Sequence, residues 1–263
     1  MAQGIQLNGM IHYLCVNLID VVRAKIGAFM IKNIFYDLDG TLLPMDMDLF
    51  MKSYFTKLAT KMAKHGYDAA KLPDAVWTGT RAMVANDGTK TNEQAFWECF
   101  CKLVNVSEDD KELFNDFYKN EFDNVKEDCG YNEKVPELIK VVGELGFNQV
   151  LATNPLFPEI ATRKRVSWAG LSVDDFITFT TYENSHYCKP NVKYYEELLN
   201  NLNMKAEETL MIGNDVDEDM VAAQIGMKVF LVTDCVLNKH NKDISEYPHG
   251  NFDDALTYIK SLR

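Results

Sequence analysis

The chain has 263 residues, of which 47% are hydrophobic and 25% are charged, a composition that is typical of a globular protein with a large core. Its 27 Lys and Arg residues stand against 39 Asp and Glu residues, so that the net charge is −12 at pH 7. This acidic balance argues against nucleic acid and anionic membranes as main partners, and an anionic substrate would need a local positive group or a metal ion.

The first 29 residues precede the first predicted strand. Ile11, Leu14 and Leu18 lie at near-helical spacing and predict a short amphipathic helix. Charged residues interrupt its apolar stretch and no basic region precedes it, so neither a membrane span nor a signal peptide is predicted. Because a compact α/β core would begin near Met30, residues 1–29 are predicted to be a dispensable extension.

The run Ile34–Tyr36 is apolar and predicts a short buried strand, which two carboxylates follow at once. These are Asp37 and Asp39, and Gly40 and Thr41 come next. Since ligands bind beyond the carboxyl ends of the strands in an open parallel sheet, the two carboxylates are placed to hold a cation or to act on a substrate. A solvated acidic turn is the alternative, because Asp and Gly are both common in turns.

Helical patterns then replace strand patterns. In the first predicted helix apolar side chains recur at every fourth position: Phe50, Tyr54, Leu58 and Met62. Breaks are predicted at Pro73, at Gly79 and at Asn86-Asp87-Gly88, and further helices over Glu93–Val104 and Glu108–Glu121. The sequence thus predicts an all-helical domain, residues 47–133, inserted into a core of residues 30–46 and 134–263.

From Val135 onward strands and helices alternate, which predicts parallel strands joined by right-handed crossovers. The predicted strands are Gln149–Thr153, Phe176–Thr180, Thr209–Ile212 and Lys228–Val232. A helix through Val221 is predicted to end at Gly226, because glycine is favoured just beyond helix C-termini. The predicted fold class is α/β, with a central parallel sheet flanked by helices.

Polar groups follow several of the predicted strands. Thr153 and Asn154 close the second strand, Lys189 lies beyond the third, and Asn214 and Asp215 follow the fourth. If the strands are parallel, these groups meet the carboxylates of the first strand at one edge of the sheet. Together they supply oxygen ligands of the kind that Mg²⁺ prefers and donors for the oxygens of a phosphoryl group.

Each of these groups also has a plainer interpretation. Thr153-Asn154 alone is typical of a turn, and Lys189 alone is typical of an exposed lysine. The acidic run Asp215–Asp219 is similar to a calcium loop, but such a loop requires Gly at its sixth position and Glu at its twelfth, where this chain has Met220 and Gly226. Taken together and in this order, the plainer interpretations require four coincidences.

The ordered motifs resemble those of the haloacid dehalogenase-like (HAD) hydrolases. Asp37–Thr41 is similar to the family's first motif, Thr153 to the second, Lys189 to the third and Gly213–Asp219 to the fourth. The resemblance covers residues 30–235. It implies a Rossmann-like core and a helical cap of the C1 type that closes over the site.

The resemblance also implies the roles of the residues. Asp37 would be the nucleophile that forms an aspartyl-phosphate, and Asp39 would be the general acid and then the general base. Mg²⁺ would lie between the Asp37 carboxylate, the backbone carbonyl of Asp39 and Asp215, where it would screen the repulsion between carboxylate and phosphate. Thr153, Asn154 and Lys189 would bind the phosphoryl oxygens. The supporting positions would be Gly40, Thr41, Asn214 and Asp219.

Asp39 also discriminates within the family. Members that cleave carbon–halogen bonds or phosphonates resemble this pattern but lack an acid at that position, so a phosphate ester is the expected substrate. The implied function is Mg²⁺-dependent hydrolysis of a small phosphorylated metabolite. Phosphoglucomutase-like phosphoryl transfer is one alternative. A non-catalytic binding protein is another, although it predicts the loss of motif residues that are all present.

Substrate specificity is expected in the helical insert, where the polar loop 86–92 separates two predicted helices. Arg81, Asp87, Gly88 and Lys90 are the candidate substrate contacts, and a solvated turn is the alternative. The six scattered cysteines include no Cys-x-x-Cys pair, which is typical of thiols in a reducing cytoplasm. The expected partner is a small-molecule phosphate ester in the cytoplasm, with neither nucleic acid nor a membrane.

Overall fold

The computed structural model describes residues 30–104 and 110–262. The helix and the dispensability predicted for residues 1–29 concern a segment outside these described residues, and so does the start of the helix predicted over Glu108–Glu121. Within the described ranges, a helical insert follows the first strand and strands then alternate with helices. The predicted α/β fold class is therefore confirmed.

A parallel sheet forms the centre of the described structure. Its strands are β1 (Asn33–Tyr36), β2 (Asn148–Leu151), β3 (Thr178–Phe179), β4 (Thr209–Gly213), β5 (Lys228–Val232) and β6 (His249–Gly250). They lie in the order β3-β2-β1-β4-β5-β6, and Tyr36 pairs with Leu151 on one side and with Ile212 on the other. The order reverses beside β1, so the carboxyl ends of β1 and β4 flank the switch point where such sheets bind ligands.

The central strand β1 is buried on both faces. Ile34 and Tyr36 belong to one apolar cluster and Phe35 to another, because successive side chains of a strand point to opposite faces of the sheet. Layers of helices therefore cover the sheet on both sides, as is typical of parallel sheets. The predicted Rossmann-like arrangement is confirmed in this respect.

The two edges of the sheet differ from the prediction. β3 is shorter than the predicted Phe176–Thr180. It is an edge strand that pairs with β2, and two of its residues form ladder pairs there. The backbone N–H groups of Ile177 and Thr180 still donate to carbonyls of β2, at 2.9 and 3.1 Å. At the other edge, β6 pairs with β5 and was not predicted.

The insert between β1 and β2 is helical. Its described α-helices are α1 (Met47–Ala63), α2 (Leu72–Val84), α3 (Asn92–Val104) and α4 (Lys111–Lys119), and a 3₁₀-helix spans Glu121–Asp128. Asp46 caps α1 by accepting a hydrogen bond from the backbone N–H of Leu49 at 3.0 Å. The apolar stripe predicted for α1 is buried.

Gly79 does not break a helix, so that prediction was wrong. The residue lies inside α2, where a Cβ atom would come within 2.7 Å of the Phe96 ring in α3. Glycine at this position therefore permits the two helices to pack closely. Pro73 lies in the first turn of α2, where the missing N–H of proline is tolerated.

Further helices cover the sheet after the insert: α5 (Lys134–Glu144), α6 (Glu159–Trp168), α7 (Val192–Asn201) and α8 (Phe252–Lys260). The helix predicted through Val221 is a 3₁₀-helix, Met220–Ile225, and it ends as predicted at Gly226, whose φ is +90°. In the described part of the chain, no helix combines the length and the apolar character that crossing a membrane requires.

Candidate active site

Asp37 is the first residue after β1, at the carboxyl edge of the sheet. Its backbone N–H donates to the carbonyl of Ile212 in β4 at 2.9 Å, so the pairing of the strands extends to this residue. The buried carboxylate accepts a hydrogen bond from the Lys189 ammonium at 2.9 Å through Oδ1. Its Oδ2 lies 3.4 Å from the hydroxyl oxygen of Thr41. Asp37 is therefore a fixed carboxylate in contact with a positive charge.

Lys189 lies between two carboxylates, and its side chain is fully buried. Its Nζ donates to Asp37 and also to Asp219 Oδ1, at 2.7 Å. Burial alone would lower the pKa of this ammonium, but the carboxylates of Asp219 and Asp37 raise it well above its ordinary value. Lys189 is thus a permanent positive charge within an acidic site.

The loop after β4 fixes two more carboxylates through its own backbone. Asp219 Oδ2 accepts a hydrogen bond from the N–H of Asp215 at 3.0 Å. Asp215 Oδ1 accepts hydrogen bonds from the N–H groups of Asp217 and Glu218, at 2.8 and 2.9 Å. The loop therefore holds the Asp219 carboxylate in contact with Lys189, and it fixes the Asp215 carboxylate next to Asp219.

The turn after Asp39 packs against Asn214. The Thr41 hydroxyl donates to Asn214 Oδ1 at 2.9 Å, and Asn214 Nδ2 donates to the carbonyl of Cys235 at 2.7 Å. Gly40 has a φ of +88°, and a Cβ atom there would lie 2.3 Å from Asn214 Nδ2. Glycine is required both for the positive φ and for this close approach.

Gly40→Ala is expected to destabilise the protein by more than backbone strain alone, because the added methyl group must displace Asn214. Gly66→Ala is the matched control, since Gly66 has a φ of +89° but no atom within 4 Å of the added Cβ. A positive φ costs an alanine about 1–2 kcal/mol, which the control should show. Thermal unfolding measures both losses. Equal losses in the two variants would contradict the importance of the close approach.

Thr153 and Asn154 follow β2 and are fixed by neighbouring side chains. The carbonyl of Thr153 accepts hydrogen bonds from the hydroxyls of Thr180 and Tyr194, at 2.6 and 2.9 Å. Asn154 Oδ1 accepts from the backbone N–H of Lys189 at 3.2 Å, and its Nδ2 donates to the Lys189 carbonyl at 3.4 Å. The side-chain amide of Asn154 thus holds the backbone of Lys189.

Asp39 forms an ion pair with Arg165 of α6, whose side chain is fully buried. The guanidinium also donates to the Thr162 hydroxyl at 3.2 Å and lies 4.4 Å from the centroid of the Phe157 ring. Burial raises the pKa of Asp39 to about 6, with Arg165 opposing this rise and Asp37 adding to it. No sequence motif marks Arg165 as a site residue.

The site groups line one end of a cavity of about 500 Å³. The predicted residues at this end are Asp37, Asp39, Thr153, Asn154, Lys189, Asn214, Asp215 and Asp219. The volume suits a small molecule, because ligand pockets span roughly 300–1,000 Å³. A buried carboxylate, a carboxyl group of raised pKa and a permanent ammonium therefore converge where one small ligand can contact all three.

A comparison with known protein families identifies the family of the chain. A sequence profile described as haloacid dehalogenase-like hydrolase matches residues 34–232, from β1 to the end of β5. The chain belongs to the haloacid dehalogenase-like hydrolases. The family and the enzyme class predicted from the motifs are thereby confirmed. A search of curated protein sequences found no match.

Solved structures share the fold of this HAD hydrolase. A HAD phosphatase from Thermococcus onnurineus is 15% identical with a TM-score of 0.53, covering 88% of this chain and 97% of that chain. The HAD-hydrolase YfnB from Bacillus subtilis, described as bound to magnesium, is 17% identical with a TM-score of 0.55, covering 88% and 99%. The L-2-haloacid dehalogenase PA0810 is 10% identical with a TM-score of 0.54, covering 87% and 99%. Because the same fold carries different reactions, the reaction must be argued from the site.

The donor chemistry of the site fits Mg²⁺. Across residues 30–104 and 110–262, no cluster of three or more His, Cys, Asp or Glu side chains is arranged to hold a metal ion. The predicted ligand set contains only two side chains, Asp37 and Asp215, with the backbone carbonyl of Asp39 as the third ligand. Both carboxylates line the cavity, and hard oxygen donors of this kind suit an ion that keeps several of its waters.

Glu218 also lines the cavity, and no sequence pattern singled it out. Its carboxyl group accepts a hydrogen bond from Asn154 Nδ2 at 2.8 Å. Burial raises the pKa of Glu218 to about 7, with Lys189 opposing this rise and Asp215 adding to it. The acidic run after β4 was the available signal, but spacing alone does not tell which of its acids faces the cavity.

The polar loop of the insert does not reach the cavity, although it was predicted to approach the substrate. Arg81 does line the cavity. The hydroxyl of Tyr187 donates to the carbonyl of Asp87 at 3.2 Å, and Gly88 packs against the same tyrosine. Lys90 forms a surface ion pair within the insert at 2.6 Å. The loop therefore packs against the core of the protein. Of the four predicted specificity residues, Asp87 and Gly88 form this contact and Lys90 lies at the surface.

Proposed function

We propose that this HAD hydrolase is a Mg²⁺-dependent phosphomonoester hydrolase that acts on a small phosphorylated metabolite through an aspartyl-phosphate. The observation that carries the proposal is the combination of Asp37, held by Lys189 at 2.9 Å, with Asp39, a carboxyl group of raised pKa two residues later. A halide leaves without a proton, whereas the alkoxide released from a phosphate ester needs one. An acid beside the nucleophile therefore favours the phosphate ester.

In the first half-reaction, Asp37 attacks phosphorus. A bond forms between its carboxylate oxygen and phosphorus, the ester P–O bond breaks, and the departing alkoxide takes the proton of Asp39. In the second half-reaction, Asp39 takes a proton from water as that water attacks phosphorus. Inorganic phosphate is released and Asp37 returns as a carboxylate. The pKa of about 6 at Asp39 suits a group that must both give and take a proton near neutral pH.

The remaining site residues act on charge and orientation. Lys189 and Thr153 would bind the phosphoryl oxygens, while Asn154 keeps the Lys189 backbone in position through its two hydrogen bonds. Mg²⁺, held by Asp37, Asp215 and the Asp39 carbonyl, would screen the repulsion between the carboxylates and the phosphate. In a chain with a net charge of −12, such screening is needed before an anionic substrate can approach.

We also propose that residues 47–133 form a cap over the core. In support, α1 to α4 contribute one wall of the cavity, and Phe50 of α1 shares an apolar cluster with Tyr36 of β1. A cap in this position would exclude water and so strengthen the electrostatic interactions at Asp37. We further propose a cytoplasmic location, because Cys99, Cys129, Cys188 and Cys235 form no disulfide.

The proposed function is tested with the purified full-length chain and p-nitrophenyl phosphate. Phosphate release is expected in the presence of Mg²⁺, is expected to stop when EDTA removes the metal, and should return with excess Mg²⁺. The proposal is contradicted if a broad panel of phosphate esters gives no release while calorimetry shows that Mg²⁺ binds. The protein would then be a binding module built on a hydrolase fold.

Arg165→Met is expected to move the alkaline limb of the kcat/KM profile to higher pH. This parameter reports the first half-reaction, which needs Asp39 protonated, so activity falls as pH rises through the pKa of that carboxyl group. The guanidinium lowers this pKa. Loss of an opposite charge in contact with a carboxyl group raises its pKa by roughly 1–3 units, and the limb should move by about that amount.

The control for this prediction is Arg165→Lys, which keeps a positive charge and should move the limb much less. The position of the limb is compared rather than the absolute rate, because both replacements alter packing against Phe157. An alkaline limb that stays in place in Arg165→Met would contradict the role of Asp39 as the acid.

A further inference from the structure

The helical insert contributes an apolar wall to the cavity. Phe55 and Trp77 are the more accessible side chains of this wall, and the buried side chains that line it are Phe50, Leu58, Phe96 and Phe114. Aromatic rings dominate this wall, and the rings of Phe55 and Trp77 lie 5.6 Å apart between centroids. A substrate whose phosphoryl group lies at Asp37 would place its leaving group against these rings.

Four of the aromatic residues that line the cavity use their polar atoms in hydrogen bonds within the protein. The hydroxyl groups of Tyr54 and Tyr118 form a hydrogen bond with each other at 2.8 Å. Trp97 Nε1 donates to the hydroxyl of Tyr182 at 3.4 Å. These four residues therefore present mainly ring carbon to the cavity, although each could have offered a hydrogen-bonding group.

The other polar side chains that the insert contributes to the wall each form a hydrogen bond within the protein, and Arg81 keeps further N–H donors. Thr80 donates to a carbonyl one turn earlier in α2 at 3.0 Å, and Arg81 donates to the Thr78 hydroxyl at 2.6 Å. Asn115 donates to the carboxylate of Glu112 at 3.3 Å. The polar end of the cavity is thus built by the core of the protein, and the insert adds an apolar surface.

We propose that the substrate is the monophosphate of a compact apolar alcohol that carries an aromatic or similarly flat ring. This inference rests on the proposed phosphatase function and specifies its substrate class. Most hydroxyl groups of a sugar would be buried against the apolar side chains of this wall without partners, which is unfavourable. A ring can instead stack edge-on or offset against the aromatic side chains. The ammonium of Lys189 would then contact the phosphate at the polar end of the cavity.

The test is a series of monophosphates of primary alcohols, chosen so that the leaving groups have similar basicity. We expect kcat/KM for 3-phenylpropyl phosphate to exceed that for glucose 6-phosphate by at least about 100-fold, since each methylene buried in an apolar site contributes about fourfold. Preference for the sugar phosphate would overturn the inference and leave the phosphatase function intact. Absence of phosphate release from every member would overturn the proposed function itself.

Two matched variants locate the preference in the wall. Trp77 lines the cavity and is 42% exposed, whereas Ile177 is 55% exposed and lies outside the cavity. Trp77→Ser should reduce the ratio between the two substrates by about tenfold, and Ile177→Ser should leave it unchanged. An unchanged ratio in Trp77→Ser would overturn the inference. If that variant does not fold, the substrate series with the natural chain still decides.

Discussion

Replacing Asp37 with asparagine is expected to abolish phosphate release. The amide lacks the anionic oxygen that attacks phosphorus, and the loss of a nucleophile in other covalent catalysts lowers turnover on the order of 10⁴–10⁶-fold. Asparagine has nearly the same shape as aspartate, and Lys189 keeps its contact with Asp219 at 2.7 Å, so the variant should remain folded. Steady-state phosphate release, measured together with the circular dichroism spectrum, separates loss of chemistry from loss of fold.

Asp217→Asn is the matched control for this variant. Asp217 lies in the loop after β4, forms an ion pair with Lys242 and does not line the cavity. Its replacement removes the same charge close to the site and should change turnover by no more than about twofold, because the partly exposed carboxylate is screened by solvent and paired with Lys242. Turnover that survives Asp37→Asn at more than about 1% would point to a different nucleophile.

Lys189→Met is expected to cause the largest loss of stability among the site variants. It leaves the carboxylates of Asp37 and Asp219 facing each other in a buried site without their shared cation. Removing one partner of a buried ion pair costs about 3–5 kcal/mol. For a chain of this size that corresponds to a fall in Tm of roughly 6–20 °C. Activity should be lost as well, since the phosphoryl group loses its cationic contact.

Two further variants give this prediction its controls. Lys242→Met removes an exposed lysine from its pair with Asp217 and should leave Tm nearly unchanged. The double variant Lys189→Met with Asp219→Asn removes one of the two carboxylates that would otherwise repel each other. It should recover much of the lost Tm without recovering activity. A Lys189→Met protein as stable as the natural one would contradict the account of the buried site.

The position of the carboxyl edge of the sheet was predictable, because buried parallel strands appear in a sequence as short apolar runs. Ile34–Tyr36 is such a run, and the residue after it had to lie at the edge where β1 and β4 end. Once the strands are parallel, Asp37 and Asp215 must come together, because each closely follows its strand. Lys189 lies ten residues beyond β3, so its position also depends on the loop that Asn154 holds. Topology therefore carried most of the prediction of the site.

Arg165 could not be predicted in the same way. It lies within α6, where a charged residue normally faces solvent, and its partner Asp39 is 126 positions earlier in the chain. Helical periodicity gives the face on which a residue lies but not the neighbour that a long side chain reaches. A buried guanidinium paired with the proposed acid is therefore a property of packing.

The apolar wall of the cavity was also hidden in the sequence, for a different reason. Phe50, Tyr54 and Leu58 form a helical stripe of the kind that predicts a core face, and they are indeed buried. The same residues line the cavity, because the core and the binding surface of the insert are continuous. An apolar stripe does not distinguish contact with protein from contact with a ligand.

The central claim is that Asp37 carries the phosphoryl group during turnover. Sodium borohydride reduces an acyl phosphate to an alcohol and would convert this aspartyl-phosphate into homoserine, which peptide mass spectrometry can locate. Enzyme quenched during turnover with Mg²⁺ and a phosphate ester is predicted to contain homoserine at position 37, and enzyme without substrate is not. Phosphate release accompanied by homoserine at another carboxylate, or by none at position 37, would contradict the account.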